Sequence, residues 1–372
     1  MNLALTDEQE FLREAARGAL ARFKTVEAAR EALEHDDALP DLWPVVVEAG
    51  WPGLLIAEEQ GGAGLHVFDA MLVAEEVGRN LASAPVLGLL PATFLLDAAG
   101  DESLATVAAG EVRPVYVPAS PPSDHDDRWT VDAPKGMARA AAPTIAADGS
   151  VTGTVAWVPD APGADLFVVV GTGEDGSPAA AVVEGAQVEK ADRYDATRSL
   201  GHVTFAGTAG RRLAVDEATL RNAWYVAQCI LGAESLGTVA TTLEMSVQYA
   251  KERFTFGRPI GSYQAVKHSL VEVLRRKENL LSLVYYAGWA GEANPQELPL
   301  AASAARTVAN GALDYATREL ISVHGGIGAT WEHDAPLFFR RAQLSKLLLG
   351  GAHDSADRVA DQLLTAPGVL SG

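Results

Sequence analysis

The stretch YAKERFTFGRPIGSYQAVKH, residues 249–268, decides how this chain folds. To its left a helical pattern runs back to Asp216; to its right another begins near Ser262 and continues beyond residue 280. Between them Gly257, Pro259 and Gly261 break helical geometry. Glycine accepts dihedrals that other residues avoid, and proline lacks the N–H a helix needs. The segment is therefore a corner between two long helices. Around it stand a cation (Arg253), an aromatic ring (Phe256) and an amide (Gln264). Such a trio suits a nucleotide: guanidinium to phosphate oxygens, ring to an apolar edge, amide to a carbonyl or hydroxyl. On physical grounds alone Arg253 also reads as a cation that merely complements a helix C-terminus.

The whole chain narrows the function. At 372 residues it exceeds what one core usually serves, so two or three packed domains are expected. A hydrophobic content of 48% is ordinary for a globular enzyme, and a net charge of -20 leaves no basic surplus to neutralise nucleic-acid phosphates. The single Cys229 excludes an intramolecular disulfide framework, and no Cys/His spacing resembles a metal site. Cys229 lies in an apolar helical run, where it reads as a small buried hydrophobe. The start, NLALTDEQ (residues 2–9), has no basic region followed by an apolar core, and no apolar run reaches membrane-spanning length. A cytoplasmic protein without membrane segments is the expectation.

Taken in order, the chain reads as helices, then strands, then helices. Thr6 and Gln9 form a capping box for a helix expected to run to about Ala32, with Phe11, Leu12, Ala15, Ala19 and Phe23 as its buried face. Leu42 and Val45 to Val47 mark a short helix ended by Gly50, and Asp69 to Leu81 a longer one. Between about Val112 and Ala214 short apolar runs replace the helical period: 115–117, 155–158, 166–170, 180–183 and 203–205. These are strands, and Asp148-Gly149-Ser150 and Glu174-Asp175-Gly176 are turns between such strands. The proline-rich stretch from Pro118 to Asp127 reads as an exposed loop. Helix returns at Asp216, a good N-cap, for a run of about 57 Å to Arg253 at ~1.5 Å per residue. Further helices are expected from Leu300 to Val323 and from Pro336 to Leu364. The expected domains are 1–111 (helical), 112–214 (β barrel or sheet) and 215–372 (four-helix bundle).

Two strings resemble the acyl-CoA dehydrogenase family. The corner matches its R-x-x-F-G-x-P-I-x-x-x-Q-x-x-x-H signature, and GWPGLLIAEEQGGAG (residues 50–64) matches G-W-x-G-L-x-x-P-E-E-x-G-G-x-G with Ala57 in place of the proline. The residues themselves give the glycine-rich run as a structural turn, since no P-loop Lys-Ser/Thr follows. The resemblance spans essentially the full length and implies an FAD-dependent α,β-dehydrogenation of an acyl-CoA, with electrons passed to an electron-transfer flavoprotein or similar acceptor. It also implies cofactor contacts at Arg253, Phe256, Gly257 and Gln264. Further contacts are implied at Ser322, Gly325 and Gly326 around the turn HGGIG (residues 324–328). In the family these positions touch the pyrophosphate and adenine end of an FAD held mainly by a neighbouring subunit.

The same resemblance shows what is missing. The family removes the α proton with a Glu. Counting from HGGIG puts that base at Leu349, and the alternative position on the preceding long helix falls at Ala227. Neither residue can take a proton. Glu234, seven residues beyond Ala227 on the same helical face, reads as a displaced base or as a structural acid; His353 and Asp354 follow the missing position. The flavin-ring string of the family's middle domain is replaced by VPASPPSD (residues 117–124), its tryptophan-isoleucine-threonine element by WVP (157–159), and its Gln before the turn by Ser322. Residues serving a chain's own flavin ring are lost; those reaching a neighbour's FAD are kept. The family includes α2β2 enzymes of actinobacterial steroid side-chain β-oxidation built in this way. The expectation is therefore a subunit without a catalytic residue, paired with an acyl-CoA dehydrogenase-like catalytic partner acting on a bulky, steroid-type acyl-CoA. A homotetramer using Glu234 and a flavin-free scaffold are the alternatives.

Overall fold

Thr6 opens the first helix: its hydroxyl accepts from Gln9 N at 3.2 Å while the Gln9 amide oxygen accepts from Thr6 N at 3.1 Å. The computed structural model describes residues 4–35, 39–123, 126–135, 139–191 and 194–365. Helix α1 (Asp7–Ala21) ends well before Ala32, and a separate helix α2 (Thr25–His35) follows, its Thr25 hydroxyl bonded to Asn80 O. The buried face also differs from expectation. Ala16, Ala19 and Leu20 face inward, whereas Ala15 is exposed and Phe11 is 73% exposed. Polar pins set this rotation: Gln9 donates to Asp69 and Arg17 grips Glu76 with two bonds, turning α1 onto α4.

Helices α3 (Trp43–Glu48), α4 (Val67–Arg79), α5 (Val86–Ala99) and α6 (Leu104–Ala108) complete the first helical region. Strands then occupy β1 (Pro114–Val117), β2 (Thr130–Asp132), β3 (Arg139–Ala141), β4 (Thr144–Ile145), β5 (Val151–Pro159), β6 (Leu166–Gly173), β7 (Pro178–Glu184), β8 (Gln187–Lys190), β9 (Leu200–Thr208) and β10 (Gly210–Arg212). The main sheet runs β10-β7-β6-β4-β5-β9-β8, with β1 lying parallel to β6. It is open at both ends rather than closed as a barrel. All five apolar runs named from the sequence are strands, and both predicted turns carry glycine at positive φ. The register between β5 and β9 slips between Val155 and Val158, and Trp157 stands in that bulge at φ 57°.

The stretch after β1 is a loop, as expected, and Pro122 and Asp127 are exposed, but its first part is not. Ala119, Ser120 and Pro121 are buried, because Arg358 reaches across to bond the carbonyls of Pro121 and Pro122 and the Ser120 hydroxyl. Asp124 lies outside the described residues.

Asp216 caps α7 (Glu217–Glu252) by accepting from Thr219 N at 2.8 Å. A two-residue-strand hairpin, β11 (Phe254–Thr255) with β12 (Arg258–Pro259), makes the corner into α8 (Gln264–Ala293), and α9 (Leu298–His324) follows. The single helix expected from Pro336 to Leu364 is two: α10 (Ala335–Ser345) and α11 (Gly351–Thr365). Leu349, Gly350 and Gly351 stand at φ 51°, 90° and 73°, which no helix accommodates. Helices α7, α8 and α9, with α10 and α11 against α9, form the C-terminal bundle. It meets the first helical region where α4 crosses α7. A Cβ on Gly78 would lie 1.9 Å from Glu234 O, and one on Gly237 would lie 1.9 Å from Glu75 O. Only glycine permits that approach.

Candidate functional site

At the corner the backbone is tied down while the side chains of Arg253 and Phe256 are exposed. Arg253 N donates to Tyr249 O at 2.8 Å and Arg253 O accepts from Ile260 N at 2.7 Å, so the main chain cannot drift. Its guanidinium is exposed and, among the described residues, makes no ion pair. Phe256 sits at φ 47° and is 94% exposed, followed by Gly257 at φ 78°. A bulky aromatic residue at positive φ is strained, and full exposure of its ring leaves apolar surface in water. Gln264 begins α8, whose N-terminus has no side-chain cap, so its first N–H groups and the helix dipole favour an anion there. Tyr249, on the last turn of α7, stacks on His324 at 4.2 Å. This brings the corner and the exposed Gly325–Gly326 turn to the same end of the bundle. Ser322 is exposed on the last turn of α9.

The interior reads in the opposite sense. Leu349 is only 5% exposed and belongs to the main apolar core. Ala227 is fully buried, and its neighbour Gln228 donates to Leu349 O at 2.6 Å. The two positions read from the sequence for the base are thus linked across α7 and the α10–α11 turn. Arg306 holds the same turn by donating to Ser345 O and Leu348 O, and to Asn310 Oδ1 at 2.6 Å. Among the described residues Arg306 has no carboxylate partner; burial and the nearby Arg198 charge push its pKa down to about 9. The space above Leu349, lined by Pro118, Ser120, Trp157, Trp224 and Leu349, is a cavity of about 10 Å³. That is room for one water at most, against the several hundred Å³ typical of ligand pockets. Trp157 fills the bulge, packing edge-on to His202 at 4.6 Å and donating to Ala133 O. Arg139 closes the rim by bridging Asp132 at 2.8 Å and Asp354 at 2.7 Å.

Glu234 is 2% exposed and clamped. Arg198 donates to its Oε1 at 2.7 Å and Arg341 donates to the same oxygen. Arg341 also bonds Asp195 at 2.9 Å and Thr197 Oγ1 at 2.8 Å. Burial alone would raise the Glu234 pKa, but the two guanidiniums hold it below the ordinary value. This carboxylate ties α7 to the β8–β9 connection and α10. It is poorly disposed to take a proton from anything.

The sequence did not point to Gln228, Arg198, Arg306 or Arg341. Isolated arginines and an amide look like surface groups, and only the assembled fold puts them in the interior. Among the described residues no helix is long and apolar enough to cross a membrane, and no three His, Cys, Asp or Glu side chains group as metal ligands. Cys229 is buried, and burial pushes its thiol up to about 12, an inert state.

Comparison with known proteins agrees with this architecture. Residues 6–105 match the acyl-CoA dehydrogenase N-terminal domain family and residues 223–364 its C-terminal domain family. The acyl-CoA dehydrogenase IpdE2 of Mycolicibacterium smegmatis is 30% identical over 365 residues, covering 95% of this chain and 98% of its own. A variant of the Tcur3481-Tcur3483 steroid ACAD superposes with a TM-score of 0.83 at 27% identity, over 96% of this chain and 98% of the other. The ChsE4-ChsE5 complex from Mycobacterium tuberculosis shares the fold, with a TM-score of 0.85 at 24% identity over 99% of this chain and all of the other. With two family domains matched and a relative at that identity along nearly its whole length, this chain belongs to the acyl-CoA dehydrogenase family.

Proposed function

We propose that this chain is the subunit without a catalytic base in a heteromeric, FAD-dependent acyl-CoA dehydrogenase. The observation that carries the reading is the 10 Å³ cavity over Leu349. FAD fits this chain in one place and not in the other. The corner offers an exposed guanidinium, an exposed ring, an uncapped helix N-terminus and an accessible glycine turn. The interior offers no volume for an isoalloxazine, and Asp132, the carboxylate on the lining of that cavity, is tied up by Arg139 at 2.8 Å.

On this reading Arg253, Phe256, Gly257, Gln264, Ser322, Gly325 and Gly326 hold the distal end of an FAD whose ring lies in a partner subunit. Bound there, FAD would supply the hydride acceptor for the dehydrogenation. The partner supplies the Glu that removes the α proton. Arg253 pairs with phosphate oxygens, Phe256 covers an apolar edge, and Gln264 with the α8 N-terminus orients the anion. Symmetric homo-oligomers repeat identical complete sites, so half a site calls for an unlike partner and an α2β2 assembly. Similarity to a steroid dehydrogenase at 27% identity supports a bulky, steroid-type acyl-CoA as substrate of the pair, with an electron-transfer flavoprotein or similar acceptor. The clamped state of Glu234 speaks against a homotetramer that uses it as base.

The test is flavin per chain and oligomer mass, for the protein alone and co-expressed with the acyl-CoA dehydrogenase-like protein encoded beside it. Little flavin alone and about one FAD per unlike pair is the expected outcome. A lone homotetramer with a full complement of flavin and acyl-CoA oxidation sinks the reading. Assembly of the pair without flavin leaves a pure scaffold in its place.

A further inference from the structure

Three aromatic rings in a row join the corner to the Gly325–Gly326 turn. Tyr249 from α7 stacks on His324 at the end of α9 (4.2 Å, 30°), and His324 meets His333 at 4.2 Å and 45°. Hydrogen bonds dictate which protonation states this row tolerates. His324 Nδ1 lies 2.8 Å from Leu320 O; a carbonyl only accepts, so that nitrogen carries the proton. His333 is the reverse. Ala335 N donates to its Nδ1 at 3.0 Å, so Nδ1 must keep its lone pair.

Ala335 is the first residue of α10, Pro336 has no N–H, and Leu337 N donates to Asp334 O. His333 therefore supplies the acceptor that the start of α10 needs. A protonated His333 cannot accept that bond. It also places positive charge at a helix N-terminus and against a second imidazole, and both effects oppose protonation. The charged and titratable groups around the row are Tyr249 on α7, His324 on α9, Arg30 on α2, and Asp334 beside His333; Arg30 and Asp334 pair with each other. Exposed Glu332 precedes His333. Burial, then the His324 charge, hold His333 below the ordinary histidine value of 6.5.

We infer that the Tyr249–His324–His333 row is a positioning device for the cofactor-facing turn, and that proton uptake by His333 releases that turn. The inference rests on the reading of Arg253 and Gly325–Gly326 as distal FAD contacts. The sign follows from linkage. A histidine depressed in the folded state stabilises the fold fully above its unfolded pKa, and the contribution is lost as pH falls below 6.5 towards the folded value. Mild acid should therefore loosen the turn before it unfolds the protein.

The experiment compares the wild type with His333→Asn, which keeps an acceptor for Ala335 N–H through an Asx turn but cannot charge. Between roughly pH 7.5 and 5.5 the wild-type pair should release flavin while the variant pair holds it. In the chain alone, the amide signals of Gly325 and Gly326 should follow the His333 titration in the wild type and lose that component in the variant, which keeps His324. Equal flavin release from both pairs, or glycine signals that ignore His333 titration, overturns the inference. A wild-type pair that holds no flavin even near neutrality defeats the shared-site reading instead, and the glycine signals of the lone chain still judge the ring row.

Discussion

The two ends of this molecule's C-terminal bundle were finished differently. The interior beside Leu349 is closed: Trp157, Trp224 and Leu349 leave a cavity of about 10 Å³, and the buried guanidiniums of Arg198 and Arg306 are held by a carboxylate and by carbonyls. The corner at Arg253 and Phe256 is fixed in backbone and unspent in side chain. A protein has no folding reason to hold an aromatic residue at positive φ and 94% exposure, because both features cost free energy in the isolated chain. A region free to drift towards stability packs itself shut; a region held open against stability has something to meet. On the proposed function, the contrast separates the half of the site that the partner would supply from the half that this chain would supply.

The comparison is most exposed to failure at Glu234. Glu234→Gln should destabilise the chain by about 3–5 kcal/mol, since it leaves Arg198 and Arg341 buried with half their compensation gone. Chemical denaturation measures this, and a variant that unfolds at the wild-type midpoint refutes the clamp. Leu349→Ala should cost about 2–4 kcal/mol by the same measurement, the penalty of a core leucine removed from a rigid surround. It should still give the lone chain no flavin, because Trp157 and Trp224 remain in the space; flavin uptake would mean Leu349 was the only obstacle. A third variant sharpens the electrostatics of the interior. Asp160 is buried and accepts from Gly88 N at 2.8 Å; burial pushes its pKa from 3.8 up to about 6. The folded state thus keeps a proton that the unfolded state gives up, and stability declines as pH rises from about 4 to about 6. Asp160→Asn should flatten that part of the stability–pH curve and leave the remainder unchanged.

Much of the architecture was legible because its signals are local. The Thr6 box, the Asp216 cap and the five strand runs each need only a few neighbouring residues. The breaks were less legible. Helix α2 starts at Thr25 without any glycine or proline before it, and the α1 face is set by Arg17–Glu76 and Gln9–Asp69, partners about sixty residues apart. Gly350–Gly351 was a visible signal for ending α10, but the positive φ of Leu349 was not, since it is imposed by Arg306 and Gln228 from two other helices. The candidate site divides in the same way. Its candidate contact residues could be named from the corner string and the HGGIG turn, whereas the filled cavity could not, because it depends on residues converging from β2, β3, β5, α7, the stretch after β1 and the α10–α11 turn.

The smallest stability effect makes the sharpest test. Arg253→Ala removes an exposed guanidinium that has no ion-pair partner among the described residues, so unfolding should change by no more than about 0.5 kcal/mol. On the proposed function the same change in the assembled pair would remove a charge-assisted bond to phosphate, for which ~1.5–3 kcal/mol is typical, and FAD affinity should fall by roughly ten- to a hundred-fold. Titrating flavin into the apo pair measures that loss, and denaturation of the lone chain supplies the control. A site that matters only in company predicts this separation. A purely structural Arg253 would weaken the lone chain as well, and an Arg253 that does nothing would move neither quantity.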